Sequence, residues 1–464
     1  VTVSVLYWSS NRSMRRVFAP FTAHAAAPAA SAMRFASGGA KKEGKFAALS
    51  DEEVIGKLKD GSIKFYGLED AVAPDYTRAI KLRREFVKSY VRPSVDSETK
   101  VHAIDTLPYE DFDWSRAVGQ NCENIIGYVP VPVGLAGPIL MDGVEYAIPM
   151  ATTEGALVAS THRGARAINM SGGCVTRVLT EGMTRAPVVE VDSIATAFDL
   201  KEFCDKEFQT IKAAFESTTR FGKLLNIKVA IAGRKVFIRF RAFTGDAMGM
   251  NMVTKGVDAA LNVLQQKFPS LKVLALSGNY CTDKKPSAIN WVEGRGKSVI
   301  AEAVVKKDYV EKTLKTTVDA LVQLNVDKNL TGSAMAGSLG GFNAQAANVV
   351  AAMFLAMGQD PAQVVESATC LTSITKAENG DLLIAVTMPS IEVGTIGGGT
   401  GLPAQKSMLE LVGCAGSNHA APGSNASLLA RVIACGVLSA ELSLMSGLAA
   451  GHLLRAHMDL NRAK

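Results

Sequence analysis

The stretch KVFIRFRAFTGDAMGMNMVTKGVDAALNVL, residues 235–264, reads as a strand, a tight turn and a helix in close succession. Working outward, PVVEV (187–191) and VLAL (273–276) read as further strands, with helical sequence between. This β-α-β-α-β rhythm is that of a small split, ferredoxin-like sheet with helices on one face. The flanking sequence is helix-rich, so residues 187–276 are expected as an insertion. The expected class is α+β: an N-terminal helical domain (46–122), a larger domain in two parts (123–186 and 288–464), and a connecting loop (277–287).

The 464 residues allow a large core. Apolar residues at 48% and charged residues at 20% are ordinary for a globular enzyme, and the 41 glycines with 6% aromatics point to close backbone packing. A net charge of +6 without basic–aromatic runs gives a nucleic-acid role little support. The seven cysteines form no CxxC pair and the six histidines no HxxxH or HExxH spacing, so reduced thiols and no metal site are expected. The uncharged run 329–359 holds Asn, Gln, Ser and Gly, and reads as a buried helix hairpin or helix-plus-loop, not a membrane span. The run 427–458 reads as a long apolar helix or helix pair. Residues 1–42 contain no Asp or Glu and carry Arg12, Arg15, Arg16 and Arg34 among Ser, Ala and Phe. That is the composition of a mitochondrial transit peptide, though a disordered Ala-rich extension shares it.

Several residues stand where chemistry is plausible. Asp246 reads as the N-cap of the helix in the opening stretch, with Gly249 and Asn251 in its first turn; a plain cap and a ligand contact are both open. Gly394, Gly397, Gly398, Gly399 and Gly401 would let a backbone approach a pyrophosphate, but G-x-G-x-x-G is not matched; a nucleotide site and a close-packed loop are both open. Thr153 reads as the cap of a helix with Glu154 in its first turn, and Asp360 precedes Pro361 at the next helix; partial burial is expected for both acids. His452 and His457 do not share a helical face and read locally as solvated or capping residues. In SGNYCTDKKPSAINW (277–291), Pro286 pushes Lys285 towards extended backbone, so this is a loop leaving a strand. A lysine beside an acid there can neutralise a developing oxyanion; a solvated turn is the plainer reading.

ENIIGYVPVPVGLAGP, MATTEGALVASTHRGARA, TGDAMGMNM, SGNYCTDKKPSAINW, GSAMAGSLGGFNAQAAN, GQDPAQ and TMPSIEVGTIGGGT together resemble the class I 3-hydroxy-3-methylglutaryl-CoA (HMG-CoA) reductases, over nearly everything from Ser50 onward and most like the forms without a membrane anchor. The resemblance implies reduction of HMG-CoA to mevalonate and CoA with two NADPH. It implies Glu154, Lys284, Asp360 and His457 as catalytic residues, against the local reading of His457. Lys284 would hold the oxyanion, oriented by Asp360; His457 would protonate the leaving thiolate; Glu154, kept protonated by burial and the Asp360 charge, would supply the last proton. Ser277, Asn279, Asp283, Lys285, Arg185, Lys328 and Asn348 are implied as HMG contacts, and Tyr66, Ser160, His162 and Arg163 as CoA-side positions. Arg220, Phe221, Asp246, Met248, Met250, Asn251, Gly397, Gly398 and Gly399 are implied at NADPH, with Arg220 at its 2′-phosphate. A cis peptide in YCTDKK and an active site shared between subunits of a homodimer or homotetramer are implied too.

The chain departs from the family at Gln345, where many members carry His, at His162 for Asn, at Ala456 for Ser near CoA, and at Ala463, where regulated members carry a phosphorylatable Ser. A non-redox CoA enzyme would want a nucleophilic Cys, yet Cys281 has no evident paired His, and a catalytically dead paralogue would not fill all four catalytic positions. The acid-free segment predicts mitochondrial import of the full chain, lost on deletion of residues 1–42; import unchanged by the deletion would refute the transit-peptide reading.

Overall fold

The computed structural model describes residues 43–90 and 102–451. The expectations for residues 1–42, Ala456, Ala463 and both C-terminal histidines, His452 and His457, lie outside the described residues.

Ser50 and Glu53 form a reciprocal capping box (3.3 and 2.8 Å) that opens helix Asp51–Lys59 (α1). Asp75 caps Tyr76–Lys88 (α2), whose Arg83 and Arg84 are buried. Arg83 forms a two-pronged pair with Glu69 (2.7 and 2.6 Å), and Arg84 donates to the carbonyls of Leu107 and Ile126 (2.9 and 2.7 Å). These two cations pin the 102–128 segment to the helices.

The Gly/Pro-rich run after Asn121 becomes an antiparallel hairpin, Val133–Met141 (β1) and Val144–Ala151 (β2). Helix Leu157–Met170 (α3) and strand Val175–Arg185 (β3) follow. Thr153 does not cap α3. Ala156, at φ +70, turns the chain into the helix, so Glu154 lies ahead of the first turn instead of within it.

The next block runs Val188–Glu190 (β4), Ile194–Lys206 (α4), Phe208–Glu216 (α5), Lys223–Ala232 (β5), Lys235–Phe243 (β6), Met250–Lys267 (α6) and Lys272–Ala275 (β7). Its strand order is β7-β4-β6-β5 with every pair antiparallel, a ferredoxin-like sheet. Leu200, Phe215, Phe240, Val253 and Val257 close its own core. Strand β5 escaped the sequence reading because it is an edge strand with only Leu224 buried, and it shows no alternation.

The block is sewn into the larger unit by β3. The first part of β3 pairs with Gly296–Val305 (β8), and its last residues, Met183 to Arg185, pair with β6. One nine-stranded sheet therefore continues through both units, past β8 to Gly341–Phe342 (β9), Cys370–Lys376 (β10) and Leu382–Ile391 (β11), in the order β8-β11-β10-β9. Helices Ala346–Ala356 (α7) and Ser424–Ala449 (α8) pack in the larger core. Helix α8 is long and apolar enough to cross a membrane, but 83% of its most apolar window is buried inside the protein. It packs against α3, α7, β8 and β11.

The α3–α8 crossing is set by Gly164. A Cβ there would lie 1.8 Å from the carbonyl oxygen of Ser439 in α8. Gly164→Ala is expected to force the helices apart and destabilise the fold by at least about 1–3 kcal/mol, read as a lower thermal midpoint; an unchanged midpoint would show that the crossing can open freely.

Candidate active site

The loop after β7 turns on three non-glycine residues in the left-handed region, Asn279 (φ +62), Thr282 (φ +61) and Lys284 (φ +58). Each such residue costs about 1–2 kcal/mol and persists only where its surroundings hold it. The cis peptide expected in YCTDKK is not present: the cis bonds among the described residues are Ala73–Pro74 and Gly137–Pro138. Thr282 donates its hydroxyl to the Asn290 side chain, and Asn290 Nδ2 returns a bond to the Thr282 carbonyl at 3.2 Å. The Lys284 N–H donates to Glu366 Oε1 at 2.7 Å. Lys285 folds back to the Asp283 carbonyl at 2.9 Å.

Beneath the loop lies Arg295, fully buried. Its Nη1 meets Asp283 Oδ1 (3.1 Å), Glu366 Oε1 (3.3 Å) and Glu392 Oε2, while Nε donates to the Thr184 hydroxyl at the end of β3 (2.9 Å). Gly294 and Gly296 flank it, where a Cβ would lie 2.6 Å from the Pro389 carbonyl oxygen or 2.5 Å from that of Ile391. Burial works against ionisation of Asp283, but Arg295, the Gln363 amide (3.2 Å) and Lys284 together hold its carboxyl below the usual range.

Lys284 Nζ lies 2.9 Å from Asp360 Oδ2, both side chains partly exposed. The hydrogen bond to Asp360 is the main cause that raises the Lys284 pKa, with part of the effect offset by burial. The other oxygen of Asp360 accepts from the Ala362 N–H at 3.0 Å, so this acid is a cap and the lysine's partner at once.

Asp360 also lines a cleft of about 670 Å³ that runs on to Met248, Met250, Asn251, Gly397, Gly398 and Gly399. The glycines there are of two kinds. Gly394 and Gly358 lie against backbone, where a Cβ would come 2.4 Å from Met248 N or Gly399 O. Gly397 (φ +80), Gly398 (φ +54) and Gly401 face open space, so a ligand can reach bare backbone there. Helix α6 starts at the cleft, with Gly249 (φ +89) as its N-cap residue. Asp246 does not cap α6. It is buried, and its carboxylate accepts from Asn418 N (2.8 Å) and Ala426 N (3.1 Å), serving α8 as a remote cap. Both its oxygens are engaged by these two bonds, and it does not line the cleft. Arg220 is exposed and lies over the ring of Phe221, and Phe221 approaches His419 (6.5 Å between centroids).

The remaining predicted residues are more dispersed. Glu154 is exposed, not partly buried as expected, and Asn348 Nδ2 reaches it at 3.4 Å. Among the described residues, no hydrogen bond or ion pair joins Glu154 to Lys284 or Asp360. Arg185 Nε donates to Thr254 (3.0 Å), and its charge is felt at Asp283 and Cys281. Ser277 pairs with Cys281 (3.3 Å), and Asn279 is exposed. Ser160 and Arg163 both bond to Ser443 of α8 (2.9 and 3.0 Å), while His162 and Tyr66 are exposed. Lys328, on a π-helical stretch (Asn325–Gly332), lies near buried Glu441, which accepts from Ala344 N (2.8 Å), Gln345 N (2.7 Å) and Thr372 (2.8 Å). Gln345 also donates its amide to the Ala440 carbonyl at 3.0 Å. Arg295, Glu366, Glu392 and Glu441 went unremarked in the sequence; an arginine between two glycines was the one available signal.

The fold and this geometry define a two-unit α+β enzyme with a fixed lysine–carboxylate pair beside a glycine-lined cleft. A family model described as hydroxymethylglutaryl-coenzyme A reductase matches residues 79–462, and the chain belongs to that family. It is 52% identical over 450 residues to 3-hydroxy-3-methylglutaryl-coenzyme A reductase 2 of Dictyostelium discoideum, covering 89% of this chain and 86% of that one. It is 53% identical over 416 residues to the Camptotheca acuminata reductase, covering 89% of this chain and 68% of the relative. The class II reductase of Streptococcus pneumoniae, solved bound to NADPH, superposes with a TM-score of 0.59 at 18% identity, over 87% of this chain and 98% of that one; this likeness is one of fold. The relatives at this identity place the chain's reaction as the reduction of HMG-CoA in the mevalonate pathway.

Because Asp360 raises the Lys284 pKa, Asp360→Asn is expected to increase the neutral amine fraction. Lys284 should then react faster with an acylating reagent at a given alkaline pH. A labelling rate unchanged by the substitution would show that the pair does not persist in solution.

Proposed function

We propose that Lys284, Asp360, Glu154 and His457 divide the reduction of HMG-CoA to mevalonate between them, with NADPH in the cleft. The observation that carries this reading is the 2.9 Å Lys284–Asp360 pair on the wall of the glycine-lined cleft. The open backbone at Gly397 and Gly398 fits a pyrophosphate, with Met248, Met250 and Asn251 along the same wall. Arg220, exposed beside Phe221, offers a cation to the 2′-phosphate that distinguishes NADPH. NADPH supplies the hydride when bound, once for each of two reductions.

The residues handle charge and protons. Lys284 faces the oxygen of the thioester carbonyl as negative charge develops there, a preorganised contact of about 3–4 kcal/mol. Asp360 keeps that lysine charged and oriented. His457, as imidazolium, protonates the departing CoA sulfur. The mevaldehyde oxygen takes its final proton from Glu154. Asp283 Oδ1 is committed to Arg295 and Gln363, which leaves Oδ2 for the substrate hydroxyl, with Arg185, Ser277, Asn279, Lys285, Lys328 and Asn348 around the HMG carboxylate. Tyr66, Ser160, His162 and Arg163 serve the CoA end.

Glu154 and Asn348 share no bond with the Lys284 pair within one described chain, and this supports a site completed by a second copy in a homodimer or homotetramer. The acid-free segment 1–42 supports delivery to the mitochondrion.

Two NADPH oxidised per thiol released from HMG-CoA is the expected stoichiometry, followed at 340 nm with a thiol reagent. Lys284→Ala should lower turnover at least about a hundredfold without changing the oligomer; near-normal turnover in that variant would remove Lys284 from the oxyanion role.

A further inference from the structure

Glu366 and Glu392 each leave one oxygen buried with no N–H or O–H directed at it: Oε2 of Glu366 and Oε1 of Glu392. Their other oxygens are occupied. Glu366 Oε1 takes the Lys284 N–H and Arg295 Nη1, and Glu392 Oε2 takes Arg295 Nη1. One oxygen from each of Asp283, Glu366 and Glu392 lies within 4.8 Å of the others. Such a trio would suit a cation, but the guanidinium of Arg295 already stands among them.

A single positive charge cannot offset three carboxylates in so dry a site. The nearby cations do not close the gap: Lys284 Nζ is paired with Asp360, and the Arg185 charge acts weakly on Asp283 and the Cys281 thiol. Asp283 is the most exposed of the three acids and stays ionised. Burial pushes the carboxyls of Glu366 and Glu392 upward, Glu392 the further. The two side chains are within hydrogen-bonding reach of each other, so a proton shared between them makes one a donor and the other its acceptor.

We propose that Glu366 and Glu392 share one proton, carried by Glu392, and that this carboxyl–carboxylate pair is a positioning device for Lys284. It presents Glu366 Oε1 to the Lys284 N–H, holds that residue in its left-handed conformation, and so aims Nζ across to Asp360 and the substrate carbonyl. The inference rests on Lys284 as the catalytic cation, but the proton itself can be observed without turnover.

The test uses full-length enzyme and two readouts. In the infrared, the wild type should show a protonated carboxyl band that shifts in D2O and is absent from Glu392→Gln; no such band in the wild type would overturn the proposal. In kinetics, Glu392→Ala should lower kcat about tenfold or more with little change in KM, and the neutral isostere Glu392→Gln should recover most of that loss. Gln at either position alone keeps one donor between the two side chains. Glu366→Gln/Glu392→Gln strips the remaining negative charge, and its loss should exceed the sum of the two single losses. Glu392→Gln as impaired as Glu392→Ala, or additive Gln effects, would refute the shared proton. Should Glu392→Ala fail to fold, the infrared band and the Gln series decide the matter alone.

Discussion

The Arg295 guanidinium is the constraint on which the rest of this site depends. It touches the end of β3 through Thr184, the start of α6 through Met250, the loop after β7 through Asp283, and two more segments through Glu366 and Glu392. Those groups come from both units of the fold. Removing one partner of such a buried ion cluster typically costs about 3–5 kcal/mol, because a charge is left without compensation. The three left-handed residues of the loop are tolerable only against interactions of that size. Gly294 and Gly296 complete the arrangement, since no side chain can stand beside the arginine where β11 passes.

Sheet continuity does for the two units what Arg295 does for the loop. Strand β3 belongs to both, so the ferredoxin-like block cannot swing as a separate body without breaking ladder bonds at β6 or β8. The cleft lies where α6 and the 394–402 glycine segment converge, and the isolated bridge between Ala247 and Ile396 ties its two walls. Some glycines there let backbones touch and others leave backbone bare. The single residue type thus builds the wall and opens it.

The sequence made the architecture legible wherever a pattern was local. The helical N-terminal segment, the β6–turn–α6 passage and the strand-leaving loop at Lys284 all follow from neighbouring residues. Strand β5 did not, because an edge strand with little burial has no periodic signature. The cap role assigned to Asp246 was right in kind and wrong in address: its carboxylate serves α8, 180 residues further along. Glu154 was placed one turn too far into α3, since nothing in TTEGA announces the left-handed Ala156. Arg295, Glu366 and Glu392 were invisible for the same reason that makes them strong, as the two acids lie 71 and 97 residues from the arginine in the chain. The proposed catalytic residues were named only through family resemblance.

The α3–α8 crossing bears on how the protein is made. Ser160 and Ser443 meet across 283 residues of chain, whereas the ferredoxin-like block closes its core between Met183 and Leu271. During synthesis the block can collapse early, while the apolar faces of β1, β2 and α3 wait for α8 to emerge from the ribosome. At about 5–20 residues per second that wait lasts tens of seconds. The larger unit is therefore the part of a nascent chain most exposed to misassembly, and the part on which a chaperone has most to act.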